Sequence, residues 1–166
     1  MMNGLLRLGL IALAGSALVL ALHDWRRDAI PAITVTSLRG ETVRLAELRG
    51  RPLVVTFWAS DCRTCLLEIP EFDRLSRDYA PYGVRVLAVA MAYDLPSRVL
   101  ALVRETGLGY TVVLDSEARL AAGFGGVKWV PSTFVIDPEG NIRHTTVGAV
   151  DFRLVRQQIE AMLGGS

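Results

Sequence analysis

The feature that most narrows what this chain can fold into is Cys62-Arg63-Thr64-Cys65, set between an apolar run and a segment of helical periodicity. Leu53-Val54-Val55-Thr56-Phe57-Trp58 precedes it and reads as a central strand buried on both faces. After it, Leu66, Leu67, Ile69, Phe72, Leu75 and Tyr79 recur at helical spacing as far as Ala80-Pro81. Pro70 falls inside that pattern and predicts a kink. The cysteines therefore sit at a strand-to-helix turn, where two thiols suit reversible disulfide chemistry. Cys62 is expected at the helix N-terminus, where unpaired backbone N–H groups and the helix dipole favour a thiolate. Cys65, deeper in the helix, is expected to be more buried and to attack a mixed disulfide formed at Cys62.

These are the only cysteines in 166 residues, too few and too close together to staple distant parts of a fold. A structural zinc site normally takes four ligands, and the only histidines, His23 and His144, are not at ligand-like spacing. No metal and no cofactor is expected. Lys+Arg 18 against Asp+Glu 17, without a basic block, leaves no electrostatic footprint for nucleic acid.

Residues 1–30 read differently from the rest. Leu8 to Leu22 carries no charge, and Leu5 to Leu22 as a helix would span roughly 27 Å, just short of a bilayer's hydrocarbon core. Arg7 is placed to snorkel to headgroups, and Trp25 lies where an interfacial aromatic belongs. Residues 5–22 are thus expected to be an uncleaved membrane anchor, with 1–30 as anchor and tether and 31–166 as one soluble domain. The alternative is a removed signal peptide. Cutting near Ala12-Leu13-Ala14 would leave Leu18 to Leu22 as an apolar stub, and Ala21-Leu22-His23 is a poor site. Arg7 on one side and Arg26-Arg27 on the other nearly balance, so charge does not orient the segment.

In the soluble part, Ile33–Thr36 and Glu41–Leu45 flank Ser37-Leu38-Arg39-Gly40 as a hairpin, followed by a helical turn over Leu45–Leu48. Beyond the cysteines, strands are expected at Val84–Ala90, Tyr110–Leu114, Ser132–Ile136 and Ile142–Val147, the last two joined by a turn at Asp137–Gly140. Helices are expected from Pro96 to about Gly107, over Glu117–Phe124 and over Asp151–Leu163, with Asp151 as N-cap. This alternation predicts an α/β sandwich on a mixed sheet.

Three stretches carry a family resemblance. They are Phe57-Trp58-Ala59-Ser60 before the cysteines, Glu68-Ile69-Pro70 after them, and Val130-Pro131-Ser132-Thr133-Phe134-Val135-Ile136-Asp137 downstream. With these the chain resembles the thioredoxin superfamily, and within it the TlpA/ResA-like membrane-anchored redoxins, over about Ile33 to Leu163. The resemblance implies a thioredoxin-like three-layer sandwich around a central mixed β-sheet, with an N-terminal β-hairpin extension and an N-terminal transmembrane helix. It implies a thiol–disulfide oxidoreductase at the bacterial inner membrane, facing the periplasm, or secreted there after signal cleavage. Its substrates would be thiol- or disulfide-bearing proteins. By analogy it would act as a reductant, recharged by a membrane redox partner, for instance in cytochrome c maturation.

The resemblance also implies residue roles. Pro131 matches a proline whose peptide bond is cis beside the active site, which presents the Val130 backbone to a substrate chain and keeps metals off the cysteines. Glu68, three residues beyond Cys65 and near it on one helix face, matches an acid that moves protons at the pair. Thioredoxin itself has a buried acid on the preceding strand, where this chain has Thr56. Trp58 is expected to be part core and part wall of the site, and Trp129 to border a substrate groove.

Asp61 stands where the family usually has an aromatic residue, and Thr64 replaces a proline. The Asp61 carboxylate disfavours a Cys62 thiolate while Arg63 favours it, and Asp61 is also able to cap the helix. A competing reading is a copper-binding assembly factor on the same fold, with Cys62, Cys65 and His144 as ligands. Such factors usually space their cysteines by three residues, and Pro131 would obstruct the metal. A peroxidase would need a Thr-x-x-Cys loop, which is lacking.

Overall fold

The structure, a computed structural model, describes residues 29–164. The chain enters through an antiparallel hairpin, β1 (Thr34–Thr36) and β2 (Thr42–Arg44), and a 3-10 turn over Leu45–Leu48. It continues through β3 (Leu53–Trp58), α1 (Arg63–Tyr79), β4 (Arg85–Ala90), α2 (Pro96–Thr106) and β5 (Thr111–Leu114). The last elements are α3 (Arg119–Gly123), β6 (Ser132–Ile136), β7 (Ile142–Val147) and α4 (Phe152–Gly164).

Five strands form one sheet in the order β5-β4-β3-β6-β7, which makes β3 the middle strand. It runs parallel to β4, with Trp58 opposite Ala90, and antiparallel to β6, with Phe57 opposite Ser132. The sheet is therefore mixed, as the sequence implies. All six residues of β3 are buried, and alternation sends them to two cores. Val54 and Trp58 join Phe72 and Leu75 of α1, Val99 of α2, and Val155 and Ile159 of α4. Leu53, Val55 and Phe57 join Leu45, Leu120, Phe124 and Phe134 on the other face. Helix, sheet and helix make three layers. Burying one large apolar side chain such as Phe57 contributes about 1.5–3 kcal/mol, so the middle strand anchors both layers.

The hairpin extension closes part of one sheet edge. Leu38 donates its backbone N–H to the Val112 carbonyl at 2.9 Å, and Ser37 bridges Val113. That occupies β5 backbone groups that an open edge would leave unpaired. Ile30, which the sequence reads as tether, is buried, and its N–H donates to the Gly140 carbonyl at 2.8 Å.

Local chemistry sets the helix ends. Gly107, at φ 62°, closes α2 in the left-handed conformation that glycine adopts without a Cβ penalty. Asp151 Oδ1 accepts the N–H groups of Arg153 at 3.0 Å and Leu154 at 3.2 Å, the expected cap of α4. The short helix expected over Glu117–Phe124 starts later, at Arg119. The buried Asp115 carboxylate accepts the N–H groups of Leu120 at 3.0 Å and Ala121 at 2.8 Å, so the chain turns around Asp115 before coiling. α1 continues through Pro70 as one element.

The expected anchor at residues 5–22 lies outside the described residues. Among the described residues no helix is long and apolar enough to cross a membrane.

Candidate active site

Because β3 and β4 are parallel and β6 is antiparallel to β3, one end of the sheet gathers the segments after β3 and β4 and before β6. Those segments carry Cys62, Asp94 and Pro131. Cys62 is the N-cap of α1, with extended backbone at φ −87° and ψ 104°, and its Sγ accepts the Cys65 N–H at 3.2 Å. Its own N–H donates to the Ala59 carbonyl at 3.1 Å. This placement puts the Cys62 sulfur at the positive end of a 17-residue helix with one N–H already aimed at it.

Cys62 and Cys65 are joined as a disulfide, with Cα atoms 5.3 Å apart. Cys62 is half-buried, whereas Cys65 is 4% exposed. One cysteine of the pair is therefore partly open to solvent and the other is buried in the core.

Glu68 follows on the buried side of α1, at 7% exposure. Its Oε1 accepts the Val150 N–H at 2.8 Å, from the segment that leads into α4. Burial raises its pKa, and the Val150 hydrogen bond opposes that shift without cancelling it. Its other oxygen, Oε2, is buried without a hydrogen-bond partner, as is Nε1 of Trp58. Both residues line a cavity of about 10 Å³ together with Cys65, Thr56 and Tyr110. Trp58 is 5% exposed, so its indole belongs to the core around Cys65.

The Val130–Pro131 peptide bond is cis, the geometry the resemblance implies. Pro131 is buried and its carbonyl accepts the Gly148 N–H at 2.8 Å. The Ser132 hydroxyl donates to the Trp129 carbonyl at 2.7 Å, which pins the preceding loop. Val130 packs against the same core face as Cys62, while Trp129 is 73% exposed. Leu67 and Tyr93 are further large exposed side chains on segments that adjoin the cysteines.

One contact escapes a reading of local sequence. Asp94, just beyond β4, accepts the Ser60 N–H through Oδ2 and the Ser60 hydroxyl through Oδ1, both at 2.6 Å. It clamps the turn that delivers Cys62. The available signal is topological: in a parallel pair, the residues just past both strand ends share one sheet edge. Tyr93 lies in the field of Asp61 and Asp94. Partial loss of hydration first, then those two charges, raises its phenol pKa.

His144 is not brought to the cysteines. It stands on β7 with Nε2 at 3.0 Å from the Thr146 hydroxyl, and among the described residues no three His, Cys, Asp or Glu side chains gather as a metal group. The copper reading therefore lacks its third ligand. A surface hollow of about 710 Å³ lies away from the sulfurs, against Arg51, Pro138 and Leu163.

Comparison with known proteins agrees with this geometry. The AhpC/TSA family model matches residues 27–145. The thiol-disulfide oxidoreductase ResA of Geobacillus thermodenitrificans is 27% identical over 80% of this chain and 75% of its own length. The thiol:disulfide interchange protein DsbE of Pseudomonas aeruginosa is 31% identical over 78% of this chain and 70% of its own. A crystal structure of a thioredoxin-family thiol:disulfide interchange protein from Chlorobium tepidum superposes with a TM-score of 0.74 at 25% identity, covering 82% of this chain and 96% of that one. The chain belongs to the AhpC/TSA family, has its thioredoxin-like fold, and is a thiol–disulfide oxidoreductase whose redox pair is Cys62 and Cys65.

Proposed function

We propose that the protein works on the extracytoplasmic face of a bacterial inner membrane, held by residues 5–22, and reduces disulfides in partner proteins. The observation that carries the chemistry is the asymmetry of the pair, one cysteine half-buried at a helix N-cap and one buried in the core. In the reducing direction the Cys62 thiolate attacks a partner disulfide, forms a mixed disulfide and releases one partner thiolate. Cys65, once deprotonated, attacks Cys62 Sγ, closes the internal disulfide and releases the second partner thiolate. Two electrons pass to the partner, and the two protons of the dithiol end on the partner's thiols.

Glu68 is the base for the second step. Burial raises its pKa, which makes its carboxylate a stronger proton acceptor than an exposed glutamate, and it stands one helical turn from Cys65. Pro131 and Val130 offer backbone to an extended partner segment, and exposed Trp129 supplies apolar contact beside it. A second membrane protein restores the dithiol. Maturation of c-type cytochromes, whose haem-binding cysteines must be reduced, is the proposed setting. The relatives named ResA and DsbE and the uncharged run Leu8–Leu22 support this reading.

The test is the reduction potential of the Cys62–Cys65 pair, measured by equilibration with glutathione buffers. A potential below about −200 mV, the reducing side of the oxidising-compartment range, is expected. A value near that of a strong oxidant, about −120 mV, would overturn the assigned direction.

A further inference from the structure

Two buried side-chain polar atoms lack partners among the described residues, and both belong to residues that line the same small cavity. A buried donor or acceptor left unpaired costs about 1–3 kcal/mol, so two in one place call for a shared explanation. Trp58 Nε1–H is a donor only, whereas Glu68 Oε2 is an acceptor when ionised. The cavity of about 10 Å³ is about the size of one water-sized sphere, the smallest that holds a molecule of water. We propose that Trp58 Nε1–H and Glu68 Oε2 hold a single structural water against Cys65, which makes Trp58 a positioning residue for the acid.

A water has two hydrogens to give and two lone pairs to receive, and this cavity supplies matching groups. The water accepts from the indole N–H and donates to Glu68 Oε2. Its second lone pair is left for the Cys65 thiol proton in the reduced protein. The Thr56 hydroxyl, which lines the cavity and accepts from the Thr133 hydroxyl at 3.0 Å, has a second lone pair for the water's other hydrogen. The titratable groups around the cavity are Cys65, Glu68 and Tyr110, and the Tyr110 phenol is held far above its usual range by burial and then by Asp73. Tyr110 therefore stays neutral, and only Cys65 and Glu68 exchange a proton there.

The step balances through the water. The Cys65 thiol gives its proton to the water oxygen as the water gives one to Glu68 Oε2. The products are a Cys65 thiolate and a neutral Glu68 carboxyl group, and the water is regenerated. This rests on the proposed role of Glu68 in disulfide exchange, but the water site itself is a property of the oxidised protein.

The test uses the full chain and Trp58→Phe, which removes the N–H and keeps an aromatic ring. In the oxidised wild-type protein, NMR should give a cross-peak between the Trp58 indole proton and a long-lived water. Carbon-13 titration should find Glu68 ionising at lower pH in the wild type than in Trp58→Phe, because the water-bridged donor favours the carboxylate. In the reduced proteins, release of the second thionitrobenzoate from Ellman's reagent reports attack by Cys65, and it should slow on the order of tenfold at pH 7 in the variant. No water cross-peak at the wild-type indole, or the same Glu68 titration in both proteins, overturns the proposal. Both oxidised-state readings are independent of exchange. A wild-type protein that shows the water yet exchanges no disulfide overturns the functional reading and leaves the water site standing.

Discussion

Glu68 Oε1 accepts the backbone N–H of Val150 at 2.8 Å, which ties the redox helix to the segment entering α4 across 82 residues of chain. The bond fixes one carboxylate oxygen and leaves the other buried without a partner on a residue that lines the same cavity as Cys65, so the side chain that ties the helix down is also the one proposed to move protons.

Glu68→Gln separates those tasks. The amide oxygen still accepts from Val150, so the fold is retained, but the proton acceptor is lost. Resolution by Cys65 near pH 7 should slow by about 10²-fold or more, and the pH dependence assigned to Glu68 should vanish. An unchanged rate profile across pH, followed by stopped-flow, removes the role.

The same substitution carries a stability signature. The folded-state pKa of Glu68 lies above the unfolded value of 4.5, so the folded protein binds the proton more tightly. The stabilisation from this group is complete below pH 4.5 and is lost as pH rises through the raised folded value. Melting temperatures of the oxidised proteins should show Glu68→Gln gaining on wild type as pH is raised from 4 to about 7.5. A constant difference would contradict the burial of a destabilised charge.

Asp94→Ala should loosen the turn that delivers Cys62. It removes two charge-assisted hydrogen bonds to Ser60, worth about 1–3 kcal/mol in denaturant unfolding after solvent exposure is allowed for. Ser60→Ala removes only the hydroxyl contact and should cost less. Equal costs would place the clamp's strength in the side chain of Ser60 and not in its backbone.

Phe57→Ala should destabilise by about 3–5 kcal/mol, because the ring is fully buried and meets Phe124 and Phe134 edge-on at 5.4 and 5.8 Å. Asp115→Ala strips the N–H partners of Leu120 and Ala121 and should cost about 1–2 kcal/mol. Calorimetry of both variants checks the ranking.

The parts legible in the sequence were those written locally. Leu53–Trp58 reads as a doubly buried strand because every residue is apolar or β-branched, and it is the middle strand. Cys62 reads as a helix start because helical periodicity begins just after it, and it is the N-cap. The partners of these residues were not legible. Nothing near Glu68 announces Val150, and nothing near Ser60 announces Asp94, since each contact depends on which strands lie side by side. The role of Asp115 was not legible either: its carboxylate reaches forward to the N–H groups of Leu120 and Ala121, and the helix expected from Glu117 starts at Arg119. Trp58 shows the limit of residue type alone. An aromatic beside a reactive pair is compatible with a surface wall or a core filler, and only strand parity against α1 places its indole inward.

The most direct measurement is a trapping experiment in cells with Cys65→Ser and Cys62→Ser. With Cys65 gone, a mixed disulfide formed at Cys62 has no internal thiol to resolve it, so partner adducts that disappear under reductant should accumulate. Cys62→Ser should give few or none, because Cys65 is 4% exposed. Absence of adducts from Cys65→Ser, or equal trapping through both cysteines, would contradict an exchange that begins at Cys62.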